Sequence, residues 1–166
     1  MSSADNHHNF VASDDASQYL TFMVAGEEYG VEILRVQGIQ GWDRVTQIPN
    51  APPYVLGVIN LRGAIVPIVD LRVRLGLEPM QLAPTTVVIV VKAQVTEVER
   101  TVGLVVDAVS DVHSIGEGDR RKAPDFGQER KLAFISALGA LGEKMVILLD
   151  LDVLLDDNAL PEAVAA

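Results

Sequence analysis

The chain has 166 residues, 49% of them hydrophobic and only 5% aromatic, enough for one compact domain or two very small ones around an aliphatic core. Thirteen basic against 23 acidic residues leave a formal charge of −10, which argues against phosphate-backbone binding as the main task. The absence of cysteine excludes disulfides and thiol catalysis, and no apolar run reaches the roughly 20 residues that a membrane-spanning helix needs. The first ten residues, MSSADNHHNF, have neither a basic n-region nor an apolar h-region, so a cytoplasmic protein without a secretory signal is expected.

Residues 1–17 are polar and read as a mobile tail. Residues 18–24 read as a strand, 25–28 as a turn and 29–33 as the returning arm of a hairpin. Within 34–39, Val36 and Ile39 stand three apart, a spacing that suits a helical turn or an irregular strand. Residues 42–48 are a third strand candidate, and Pro49, Pro52 and Pro53 punctuate the loop that follows.

Residues 57–75, GVINLRGAIVPIVDLRVRL, form the organising stretch. Apolar residues flank a tight turn, Asn60-Leu61-Arg62-Gly63, and Asp70 is placed to cap a short helix that Gly76 stops. Arg62 is the only charge between Tyr54 and Val69. Residues 77–84 are a hinge, and 85–92 (TTVVIVVK) is the most strand-like run of the chain. Residues 101–106 return as a strand. A long polar loop, 116–128, carries Arg120, Arg121 and Lys122 and one apolar residue, Phe126. Residues 131–155 complete the second half, and 156–166 trail off.

The chain repeats itself. At an offset of 80, residues 137–155 match 57–75, placing Leu141 on Leu61, Gly142 on Arg62, Asp150 on Asp70 and Leu155 on Leu75. At an offset of 73, residues 102–106 match 29–33, and the alignment continues to set Val109 on Val36 and Val112 on Ile39. Short strands, glycine turns and short helical caps written twice predict an all-β protein of two small barrels packed side by side. The expected bounds are about 18–80 and 81–155. The repeat does not fix which barrel the first strand completes. Two modules this small need a shared apolar seam.

Reaction chemistry finds no support in these residues. Phosphate-cradling glycine motifs and a nucleophile elbow are missing, and His113 beside Asp111 reads as a surface histidine. Asp150, Asp152, Asp156 and Asp157 lack the spacing and glycine of a calcium loop and read as a cap with a solvated acidic end. No cofactor, metal or catalytic residue is expected.

The strings GEEYGVEILRVQGI, PNAPPYVLGVINLRGAIVPIVDLR and GLVVDAVSDV resemble the CheW family of bacterial chemotaxis coupling proteins over residues 18–155. The resemblance implies two five-stranded, SH3-like barrels in a non-catalytic adaptor that bridges the cytoplasmic tips of chemoreceptors to the regulatory domain of the histidine kinase CheA. It implies a monomer in isolation that joins rings in receptor arrays, held at the inner face of the membrane through receptors. Positions matching receptor-coupling residues are Val36, Gly57, Arg62, Val87 and Val112, to which the repeat adds Ile39. Ordinary core packing is the competing explanation at Val36, Val87 and Val112. Kinase contact maps onto Asp43 and Val45 on the first barrel and onto Arg121 and Phe126 on a second surface. Relatives often carry an acid where Gly38 stands. The rival function is a free-standing barrel that binds a small ligand in its seam.

Overall fold

The computed structural model describes residues 16–79, 81–95, 97–122 and 133–156. The first half of the chain supplies β1 (Ala16–Val24), β2 (Glu27–Glu32), β3 (Val36–Gly41), β4 (Val55–Leu61), β5 (Ala64–Asp70) and the short helix α1 (Leu71–Arg74). The second half supplies β6 (Val87–Val95), β7 (Val98–Val106), β8 (Ala108–Gly116), β9 (Arg120–Arg121), β10 (Ile135–Leu141), β11 (Lys144–Leu149) and α2 (Leu151–Leu154). One sheet runs β8-β1-β2-β11-β10-β9 and the other β3-β6-β7-β5-β4. These are the two small SH3-like barrels, the one built on β8, β10 and β11 widened to six strands by the two-residue β9.

The barrels do not divide at residue 80. The whole hairpin β1–β2 crosses to the sheet of β8, β10 and β11, and β6–β7 crosses to that of β3, β4 and β5. Each hairpin docks by a parallel pairing, β2 on β11 through Gly30 opposite Leu148, and β7 on β5 through Gly103 opposite Ile68. Both positions are glycine for a packing reason. A Cβ on Gly30 would stand 3.1 Å from the Leu148 side chain, and one on Gly103 would stand 2.6 Å from that of Ile68.

Each barrel has its own small core, Val66, Ile68, Val88, Val90 and Val105 in one, and Tyr19, Ile115, Val146 and Leu148 in the other. The larger core lies between them. Leu20, Phe22, Val31, Val69 and Leu71 from the first half meet Ile89, Val91, Val102, Leu104 and Leu154 from the second. The shared apolar seam expected from the small module size is this cluster.

Asp70 and Asp150 cap the two helices, accepting from the Arg72 amide at 3.1 Å and from the Asp152 amide at 3.0 Å. Gly76, at φ +85°, ends the first one. Two expectations change. Residues 34–39 are helical turn and strand in succession, a 3-10 turn Ile33–Arg35 followed by β3. Residues 42–48 form no strand, and their backbone pairs with the sheet through a single bridge between Thr46 and Val58. Gly57 makes that crossing possible. It sits at φ +151°, and a Cβ there would overlap the Thr46 carbonyl oxygen.

Candidate interaction surfaces

The edge strands β3 and β8 carry the repeat-related apolar pairs. Val36 lies opposite Val91 and Ile39 opposite Ile89, with a bulge at Gln37 between them. On β8, Val109 lies opposite Phe22 and Val112 opposite Leu20, with one extra residue in the same place. Thr21 fills the second bulge, its hydroxyl donating to the Asp111 carbonyl at 3.1 Å. Cross-strand partners share a face, and one extra residue lets positions three apart share it too. All four residues therefore face the side of the shared core. Val36 and Val109 pack against that core, whereas Ile39 is 48% and Val112 42% exposed. Val87, half-buried beside Gly41 and Val106, packs there as well. So each barrel presents an anchored valine and an exposed aliphatic residue one turn of the bulge away. A Cβ on Gly38, between them, would meet nothing within 4 Å, which leaves room for a larger side chain.

Arg62 stands apart, on the strand pair at the other end of its sheet's order. It forms the β4–β5 turn with Gly63 at φ +54° and +89°, a type I′ geometry, and the Gly63 amide donates to Asn60 Oδ1 at 2.8 Å. An arginine in left-handed backbone costs roughly 1–2 kcal/mol relative to its relaxed form. The equivalent Gly142, at φ +62°, adopts that geometry freely. The Arg62 side chain is exposed, and among the described residues none accepts a hydrogen bond or ion pair from it. Ala25 takes a similar φ of +52° in the β1–β2 turn, but there the strained amide donates to Asp107 at 2.9 Å.

Gly57 is buried. Its influence passes through residues 42–48, since Val45 Cγ2 would lie 3.0 Å from a Cβ at position 57. Val45 is half-buried against the first barrel's core, and Asp43 is exposed with its carboxylate accepting from the Arg44 amide at 2.7 Å. The segment assigned to the kinase and the glycine assigned to the receptor are thus one packed unit. Arg121 is exposed on β9 and donates to the Gly118 carbonyl at 2.6 Å. Phe126 lies outside the described residues.

Sequence reading missed two ion pairs. Arg72 holds Asp107 through two hydrogen bonds, 3.0 and 2.6 Å, and Arg35 holds Asp152 through two more, 2.8 and 3.0 Å. Each carboxylate also accepts a backbone amide from an exchanged hairpin, Ala25 for Asp107 and Gln94 at 2.7 Å for Asp152. Asp152 is therefore no part of a solvated acidic end. The available signal was the opposite charge at repeat-equivalent Arg72 and Asp152. Burial pushes the Asp107 carboxyl up, but the Arg72 bonds and the Ala25 amide outweigh it and leave it below the usual carboxylate range. For Asp152 the Arg35 bonds dominate, and it too is lowered.

A cleft of about 220 Å³ opens beside the second pair, lined by Tyr19, Glu32, Arg35, Ser136, Asp150 and Asp152. It falls below the roughly 300–1,000 Å³ of small-molecule sites, and its cation is already matched by Asp152. The ligand-binding rival gains nothing from it. No helix among the described residues is long and apolar enough to cross a membrane.

The CheW-like domain family matches residues 18–159. A chemotaxis protein CheW of Klebsiella aerogenes is 45% identical over 150 residues, covering 89% of this chain and 88% of its own length. One from Rhizobium meliloti is 41% identical over 135 residues, covering 81% and 84%. The crystal structure of the scaffolding protein TtCheW from Thermoanaerobacter tengcongensis superposes with a TM-score of 0.74 at 30% identity, over 87% of this chain and 95% of that one.

Proposed function

Because this chain belongs to the CheW-like domain family, we propose that it is a non-catalytic chemotaxis adaptor that couples chemoreceptor tips to the kinase CheA. The observation that carries the reading is Arg62, an exposed cation kept at a backbone position where its own repeat uses glycine, with no partner among the described residues. A strained residue that satisfies nothing inside the fold points to something outside it. A carboxylate or helix-end carbonyl of a receptor tip matches its planar donors. The paired edge strands support a helix-in-groove contact, with Val36, Val87 and Val109 as the packed floor and Ile39 and Val112 as the exposed rim. Asp43, Val45, Arg121 and Phe126 are assigned to the kinase.

Co-sedimentation with receptor signalling fragments and CheA tests this. Arg62→Ala is expected to keep CheA binding and lose receptor binding by roughly 30-fold or more, the cost of leaving a buried partner group unpaired. Arg62→Lys should recover only part, because it restores charge without the guanidinium fork. Receptor binding within threefold of wild type in Arg62→Ala would overturn the assignment.

A further inference from the structure

Residues 16–75 and 86–156 are two interlocked pieces, and the covalent tie between them is slight. Neither sheet is complete within one half, since each takes its central hairpin from the other. The shared core draws on both, and so do the two Arg–Asp pairs, Arg72 to Asp107 and Arg35 to Asp152. Arg74 donates to the Leu154 carbonyl at 2.8 Å, Lys144 to Glu28 at 2.9 Å and Arg120 to the Tyr19 hydroxyl at 2.9 Å, all across the same divide. By contrast, every described residue from 76 to 85 is exposed. The hydrogen bonds that hold its two ends are local. Leu77 donates to Arg72 at 2.8 Å at the helix end, and Ala83 and Thr86 close a turn before β6.

We propose that a second copy of this chain can replace either half, giving a dimer in which two complete two-sheet units are built by exchange across residues 76–85. Every contact of the unit is kept in such a dimer, because the first half of one copy meets the second half of the other through the same strands, core and ion pairs. Only the path of the linker changes. A tie this short sets an effective concentration of about the millimolar range, so dilute chains close on themselves and concentrated ones exchange.

The test uses the full chain with a protease site in place of residues 78–83, prepared in light and heavy isotopic forms. The two forms are unfolded together and refolded at millimolar and at micromolar concentration, then weighed by native mass spectrometry. Twice the monomer mass is expected only from the millimolar sample. Cutting the linker should then convert those dimers to units of monomer mass that join a light half to a heavy half. A dimer that keeps its doubled mass after cutting is an ordinary surface contact and overturns the proposal, as does the absence of hybrid units. The unaltered chain refolded in parallel, followed by light scattering, guards against a misfolded variant; if it stays monomeric at millimolar concentration, exchange does not occur.

Discussion

Arg62 separates stability from function at the level of one residue. Replacing it by glycine removes a left-handed strain of roughly 1–2 kcal/mol and adds back roughly 0.5–1 kcal/mol of chain entropy. Arg62→Gly should therefore raise the unfolding free energy by about 0.5–1 kcal/mol in urea titration while abolishing receptor coupling. Arg62→Ala, which keeps the same φ of +54°, should be close to neutral. A glycine variant less stable than wild type would mean that the side chain packs on its neighbours. Gly103 gives the opposite case. Its missing Cβ leaves space that Ile68 and Val88 already occupy, at 2.6 and 2.8 Å. Gly103→Ala should cost about 1–3 kcal/mol, and Gly30→Ala, with 3.1 Å to Leu148, less. Equal losses would show that the two hairpin docks are more alike than their spacing.

At the scale of elements, residues 42–48 illustrate how a segment can be held without pairing. A bridge from Thr46 to Val58 and the half-buried Val45 fix it, and both depend on the bare backbone of Gly57. Gly57→Ala should displace the whole segment, at about 2–3 kcal/mol from combined overlap and backbone strain. Because Asp43 and Val45 move with it, CheA binding and receptor binding should weaken together. Loss of receptor binding alone, at unchanged melting temperature, would make Gly57 a direct receptor contact and overturn this account. The bulges on β3 and β8 work differently. They turn a spacing of three into one face, which is why Val36 and Ile39 share a face on β3 as Val109 and Val112 do on β8.

For the whole molecule, the two Arg–Asp pairs bind the exchanged hairpins to the body, and their charge makes stability depend on pH. Asp107 and Asp152 both have folded values below their unfolded ones, so the unfolded chain takes up protons first as pH falls. Their contribution is complete above the unfolded carboxylate value of about 3.9 and disappears as pH drops through the lower folded values. Urea midpoints should be flat near neutrality and fall below about pH 4, and Asp107→Asn should lower the plateau while shallowing the acid limb. An unchanged acid limb in that variant would show that other carboxylates carry the effect. Much of the molecule was legible before any coordinates. Strand-forming runs, the Asp70 and Asp150 caps, the Gly76 stop and the twofold repeat are local patterns, fixed by backbone preference and apolar spacing over a few residues. Tertiary structure alone decided the rest. A repeat says that two halves are alike but not which strand pairs with which, so the exchange of both hairpins stayed hidden until Gly30 met Leu148 and Gly103 met Ile68. The Arg35–Asp152 pair joins residues 117 positions apart, and long-range partners of that kind are chosen by the packing of the shared core, which no local pattern encodes.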